Sequence, residues 1–198
     1  MMAAKQTDEE KIVSAAISAI RKSGWHSLSL TTLAKKSKLP IDSFYDLCPD
    51  RASVLQLIVK QALLEFIETS KPNSPDLSAR DRAFDAVLRW FECLSPVRDV
   101  LSSVHDERRG ELATIVDFIP VTTRSANWIA ECAELPTSGW KGAVITRGLG
   151  LLMAESMVVW LHDGDELGKT MAHLDRRLRT LEEWQNTLLQ ARRNAQPD

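Results

Sequence analysis

A chain of 198 residues, 44% apolar and 26% charged, can bury a substantial core in one or two small domains, and its eight glycines and eight prolines are few enough for a nearly all-helical protein. No run approaches the roughly 18 uninterrupted apolar residues of a membrane span, the start MMAAKQTDEEK has no apolar signal core, and Cys48, Cys93 and Cys132 form no CxxC pair, so a cytoplasmic protein without span, disulfide framework or metal site is expected. The net charge of −2 conceals a basic stretch, because residues 20–60 carry seven Lys/Arg against three Asp/Glu while residues 72–198 carry 15 against 19.

The first predicted helix runs from about Asp8 to Ser23, where Ile12, Ala15, Ala16, Ala19 and Ile20 repeat at three- and four-residue spacing. Thr7 with Glu10 forms a capping-box pattern at its start, and Gly24 stops it. Trp25 follows at once, placed to plug the base of a small helical head. Ser29 caps a second helix, Leu30–Ser37, with Leu33 and Ala34 inward. After a tight break at Lys38–Pro40, a third short helix spans Ile41 to Leu47, with Pro40 in its first turn and Pro49 ending it. A fourth begins near Asp50 and reaches Thr69 on a stripe of Val54, Leu55, Ile58, Ala62 and Phe66. The segment SKPNSPDLSARD (70–81) breaks the periodicity. Helices then follow at about 78–94, 96–108, 110–135, 138–162 and 167–193, giving about nine, with Pro120 expected to kink or split the 110–135 helix. No strand-like alternation and no repeat is present.

The second and third helices, joined by a tight turn, form a helix-turn-helix whose second member can enter the DNA major groove. Such heads position themselves by phosphate contacts from hydroxyls, lysines and helix N-termini. Thr31, Thr32, Lys35, Lys38, Ser43 and Tyr45 are of these types, with Ile41 and Asp42 nearest the bases. The competing reading makes the threonines caps and Tyr45 a core aromatic. The third helix carries Asp42 and Asp46 and no base, which sets its chemistry against its shape.

In the second half, the apolar stretch at 143–161 suits three roles: buried core, dimer seam, or the wall of an apolar pocket. Trp90, Phe91, Phe118, Trp128, Met153 and Trp160 could line such a pocket or form plain core. Trp140 reads as a packing anchor, and DRRLRTLEEW (175–184) as a solvated face. There is no GxSxG, no phosphate-cradling glycine loop and no HExxH, so neither an enzyme nor a cofactor is expected. His105-Asp106-Glu107 and His162-Asp163 read as ordinary helix-end polar residues.

From Lys11 to Leu57 the chain resembles the N-terminal domain of the TetR family of bacterial transcription regulators. The likeness rests on Ala15-Ala16, Gly24-Trp25, Leu33-Ala34 and Phe44-Tyr45 followed by Pro49, with Arg51 where that family usually has a lysine. It implies an all-α homodimer: a helix-turn-helix head (1–50) that binds a double-stranded DNA operator, and a helical dimerisation and effector-binding domain (51–198) that releases the operator when a small apolar effector binds. Pro40-Ile41-Asp42 departs from the family's small hydroxyl, basic and small residues, and Leu47-Cys48 from its aromatic or histidine pair. A second resemblance comes from Trp160-Leu161, Lys169-Thr170-Met171 and Leu174-Asp175-Arg176-Arg177-Leu178. These look like the end of ubiquinone-biosynthesis lipid-binding accessory proteins, which share the fold and bind isoprenoid lipid instead of DNA. On that reading an acidic third helix is natural, because nothing need be read.

Overall fold

A computed structural model describes residues 6–107 and 112–180, with side chains placed for 6–107 and 119–180. It is all-helical: α1 (Asp8–Ser23), α2 (Leu30–Ser37), α3 (Ile41–Leu47), α4 (Arg51–Thr69), α5 (Ala79–Leu94), a 3-10 turn (Ser95–Val97), α6 (Arg98–Glu107), α7 (Leu112–Cys132) and α8 (Gly139–Leu161). Residues 168–180 form a further helix, α9, and no strand occurs among the described residues. The expected helical residues 181–193 lie outside the description. Backbone contacts divide the described residues into two compact units, one drawn from Met1–Glu68 and Cys93–Val121, the other from Thr69–Glu92 and Thr122–Asp198.

In the first unit the helix ends follow local chemistry. The Thr7 hydroxyl accepts from the Glu10 N–H at 3.3 Å while Glu10 takes the Thr7 N–H at 2.8 Å, so two of the donors a helix start leaves over are satisfied. At the other end Gly24 adopts φ 76°, a region L-residues avoid, and returns its N–H to Ile20 at 2.8 Å. Ile12, Val13, Ala16 and Ile20 of α1 are buried with Trp25, Leu33, Ala34 and Phe44. The expected α4 stripe is buried in full, and α4 starts one residue late because Asp50 acts as its cap, accepting the Ser53 N–H at 2.7 Å.

The second unit centres on α8, which is apolar nearly all round. Among the described residues it is the one helix long and apolar enough, by length and composition, to cross a membrane, and half of its most apolar stretch is buried. Arg147 and Glu155 interrupt its sequence, so counting unbroken apolar residues passes it over. Gly150 of α8 faces α7, and a Cβ there would make ordinary contact, 3.6 Å from the Ala126 Cβ and the Thr123 Cα. Glu155 pairs with Arg177 of α9 at 2.8 Å.

Four expectations need correction. Of the two outcomes expected at Pro120, a kink or a split, the split does not occur: α7 runs unbroken from Leu112 to Cys132. Pro120 is exposed, where solvent can take the carbonyl that its missing N–H leaves over. The helix expected at 96–108 opens with a separate 3-10 turn, Pro96 standing in its first positions. Trp140 is no packing anchor, being 45% exposed at the start of α8. The run from 175 is not simply solvated: Asp175 pairs with Arg80 of α5 and with Arg179 at 3.1 Å, and Arg177 with Glu155.

Candidate nucleic-acid interface

The helix-turn-helix is built from α2, the 38–40 turn and α3. Ser29 caps α2, accepting the Thr32 N–H at 3.4 Å and meeting the Thr31 hydroxyl at 2.9 Å. Lys38 ends α2 in the left-handed region, φ 57° and ψ 32°, which turns the chain sharply. Pro40, at φ −55° and ψ 146°, then starts α3, its carbonyl accepting the Phe44 N–H at 2.9 Å. Phe44 is driven into the core at 3% exposure, while Ile41 and Tyr45, one turn apart, stand out at 66% and 64%.

Tyr45 therefore faces solvent and not the core. Thr31, Thr32, Lys35, Lys38, Ile41, Asp42, Tyr45 and Arg51 are all exposed, and Ser43 is half-buried. They occupy α2, the turn, α3 and the first residue of α4. Lys36 and Lys38 also line a shallow groove with Lys11, Ser14 and Ser18 of α1, Lys11 being paired with Asp8 at 2.7 Å. Two carboxylates of α3, Asp42 and Asp46, are exposed, and in sequence α3 lies between the exposed cations of α2 and its turn and Arg51 at the start of α4. Cys48, behind α3, is buried; burial first, and the nearby Asp50 second, push its thiol up to about 11. It is not a reactive thiolate at neutral pH.

Two tethers bind this head to α6, both invisible in the sequence pattern. The Glu107 carboxylate accepts the N–H groups of Trp25 at 3.0 Å and His26 at 2.7 Å, and the Ser103 hydroxyl donates to it at 3.0 Å. Burial raises the Glu107 pKa, but the His26 N–H, the Ser103 hydroxyl and the Trp25 N–H outweigh it and hold the carboxyl below its ordinary value. Arg21 meets Asp99 through two bonds of 2.7 and 2.9 Å and donates to the Pro96 carbonyl at 2.8 Å.

Of the residues expected to line a ligand pocket, Trp90, Phe91, Met153 and Trp160 are fully buried in the second unit. Phe91 stacks on Trp160 with ring centres 5.2 Å apart at 24°, and Trp90 lies 5.1 Å from Phe91. Trp128 does not join them, being 46% exposed, and Phe118 lies outside the residues whose side chains are described. Trp90 Nε1 and Ser156 Oγ are buried with no hydrogen-bond partner among the described residues.

No family model and no curated protein matches the sequence. Solved structures do match. The TetR transcriptional regulator from Nitrosomonas europaea ATCC 19718 superposes with a TM-score of 0.61 at 16% identity, over 89% of this chain and 99% of that one. A TetR transcriptional regulator from Rhodococcus sp. RHA1 gives 0.59 at 14% identity, over 88% of this chain and 94% of that one. At such identities the likeness is one of fold: this chain has the TetR-regulator fold, as the Lys11–Leu57 resemblance implies.

Proposed function

We propose that the chain is a TetR-like transcriptional regulator. Its head (1–50) binds a double-stranded DNA operator, and its helical body (51–198) joins two copies and takes a small apolar effector that releases the DNA. It is a cytoplasmic, non-catalytic protein. The observation that carries this reading is the rotation of α3, which buries Phe44 and turns out Ile41, Asp42 and Tyr45, while Thr31, Thr32, Lys35, Lys38 and Arg51 of the neighbouring segments are exposed as well. A helix-turn-helix that reads DNA needs a solvent-facing second helix flanked by phosphate-binding groups. Dimerisation draws support from α8, where Val144, Leu151 and Val158 are exposed at seven-residue intervals, the spacing of an apolar helix–helix seam. Trp90 Nε1 and Ser156 Oγ, buried without a partner among the described residues, favour an effector that is apolar but bears a hydrogen-bonding atom, since buried polar groups are rarely left without partners.

One observation favours the lipid-binding reading instead: α3 carries two acids and no base, in a chain whose body is built on a strongly apolar α8. Gel retardation with the gene's own upstream DNA across a salt series decides between the two. Retardation that strengthens as salt falls is expected, because phosphate contacts release counterions. No retardation at low salt, together with isoprenoid lipid recovered from the purified protein by mass spectrometry, overturns the regulator.

A further inference from the structure

We infer that α3 selects its operator by hydrogen-bond acceptance and apolar contact, with Asp42 choosing a cytosine through its amino group and Ile41 an adjacent thymine through its methyl. The inference rests on the regulator reading and names the bases that reading leaves open. In a helix-turn-helix the N-terminal residues of the second helix meet base edges. In α3 those residues are Ile41, 66% exposed, and Asp42, also exposed, with Tyr45 and Asp46 one turn further along the same face. No Arg, Lys, Asn or Gln occurs anywhere on α3. Guanine offers only acceptors in the major groove, so it calls for a donor that this face lacks at its leading end, and a carboxylate set against its O6 and N7 is repelled. Cytosine offers its N4 amino donor and thymine its C5 methyl, which match a carboxylate and an isoleucine side chain.

The charge pattern supports the same division of labour. Two carboxylates in the groove oppose the phosphates, so attraction has to come from the neighbouring cations, exposed Lys35 and Lys38 before α3 in the chain and Arg51 after it. Such a head is held by its flanks and discriminates at its centre. Asp42, at the leading end, is the specificity-determining residue; Asp46, in the last turn, is further from the bases.

The test is selection of bound sequences from a random duplex pool at low salt by the full chain and by Asp42→Asn. The wild-type pool is expected to converge on half-sites with a fixed cytosine beside a thymine, and replacing that cytosine should weaken binding about tenfold. An asparagine amide donates as well as accepts, so D42N should shift the preference at that position to adenine. Binding without a cytosine requirement, or an unchanged preference in D42N, overturns this inference and leaves the regulator standing. Failure of the folded protein to retain any duplex from the pool overturns the regulator reading, and this inference with it.

Discussion

The carboxylate of Glu107, on the last residue of α6, accepts the backbone N–H of Trp25 at 3.0 Å, 82 positions away in the chain. Through this bond and its neighbour to His26, the turn that closes α1 and seats Trp25 in the core is held by α6. Replacing Glu107 by Ala leaves both N–H groups without their acceptor. Unfolding free energy should fall by about 2 kcal/mol, read as a lower urea midpoint at unchanged slope.

The same carboxylate sets a pH dependence. Glu107 is held below its ordinary value of 4.5, and Asp99, hydrogen-bonded by Arg21, below 3.8. A carboxyl whose folded pKa is depressed adds stability that is present above its unfolded pKa and is lost as pH falls through the folded value. Stability should thus be level near neutrality and decline below about pH 4.5, with a shallower decline in Glu107→Gln. An equal decline in that variant would remove Glu107 from the account.

Lys38 separates stability from binding. It holds φ 57° without being glycine, which costs about 1 kcal/mol relative to a residue at ease there. Lys38→Gly should therefore raise the unfolding midpoint while lowering DNA affinity, with the slope of log affinity against log salt reduced by about 1. Calorimetry and a salt-series titration on the same sample read both. A variant that gained stability and kept the wild-type salt slope would take Lys38 out of the interface.

Two glycines of α8 should respond in opposite directions. A Cβ on Gly150 would make ordinary contacts at 3.6 Å, so Gly150→Ala is expected to stabilise by about 0.5–1 kcal/mol through helix propensity. At Gly142 a Cβ would fall 2.2 Å from the Thr137 backbone carbon, so Gly142→Ala must displace the turn before α8 and destabilise. Thermal melts of the pair against wild type give the comparison.

Leu151, 60% exposed midway along α8, is the residue on which to test the seam. Leu151→Glu places a charge where two apolar faces are expected to meet. Light scattering after size exclusion should give a dimer for the wild type and a monomer for the variant, with unchanged helical circular dichroism. A monomeric wild type would dispose of the seam on α8.

Much of the fold is legible in the sequence because helix ends obey rules spanning four residues. Thr7 with Glu10, Gly24, Ser29 and Pro40 mark the starts and stops of α1 to α3 where the structure has them, since the Thr7, Gly24 and Ser29 caps bond near neighbours and Pro40 has the fixed φ of a helix start. The α4 stripe is legible for the same reason: its spacing alone says which face is apolar. Periodicity cannot say whether an aromatic joins a core or stands outside it. Trp128 and Trp140 are exposed while Trp90 and Trp160 are buried, though all four lie in helices among apolar neighbours in the sequence.

By itself, then, the sequence determines the order of the helices, the helix-turn-helix frame and the acidic character of α3, all consequences of residue identity and short-range spacing. Only the tertiary structure decides which way α3 is rolled, that Glu107 and Asp99 tether the head, and that Asp175 answers Arg80. Those tethers join residues 78 to 95 positions apart, so no local pattern encodes them. The roll of α3 is set when the core accepts Phe44 and leaves Tyr45 to the solvent, a choice between two neighbouring aromatics that packing alone makes.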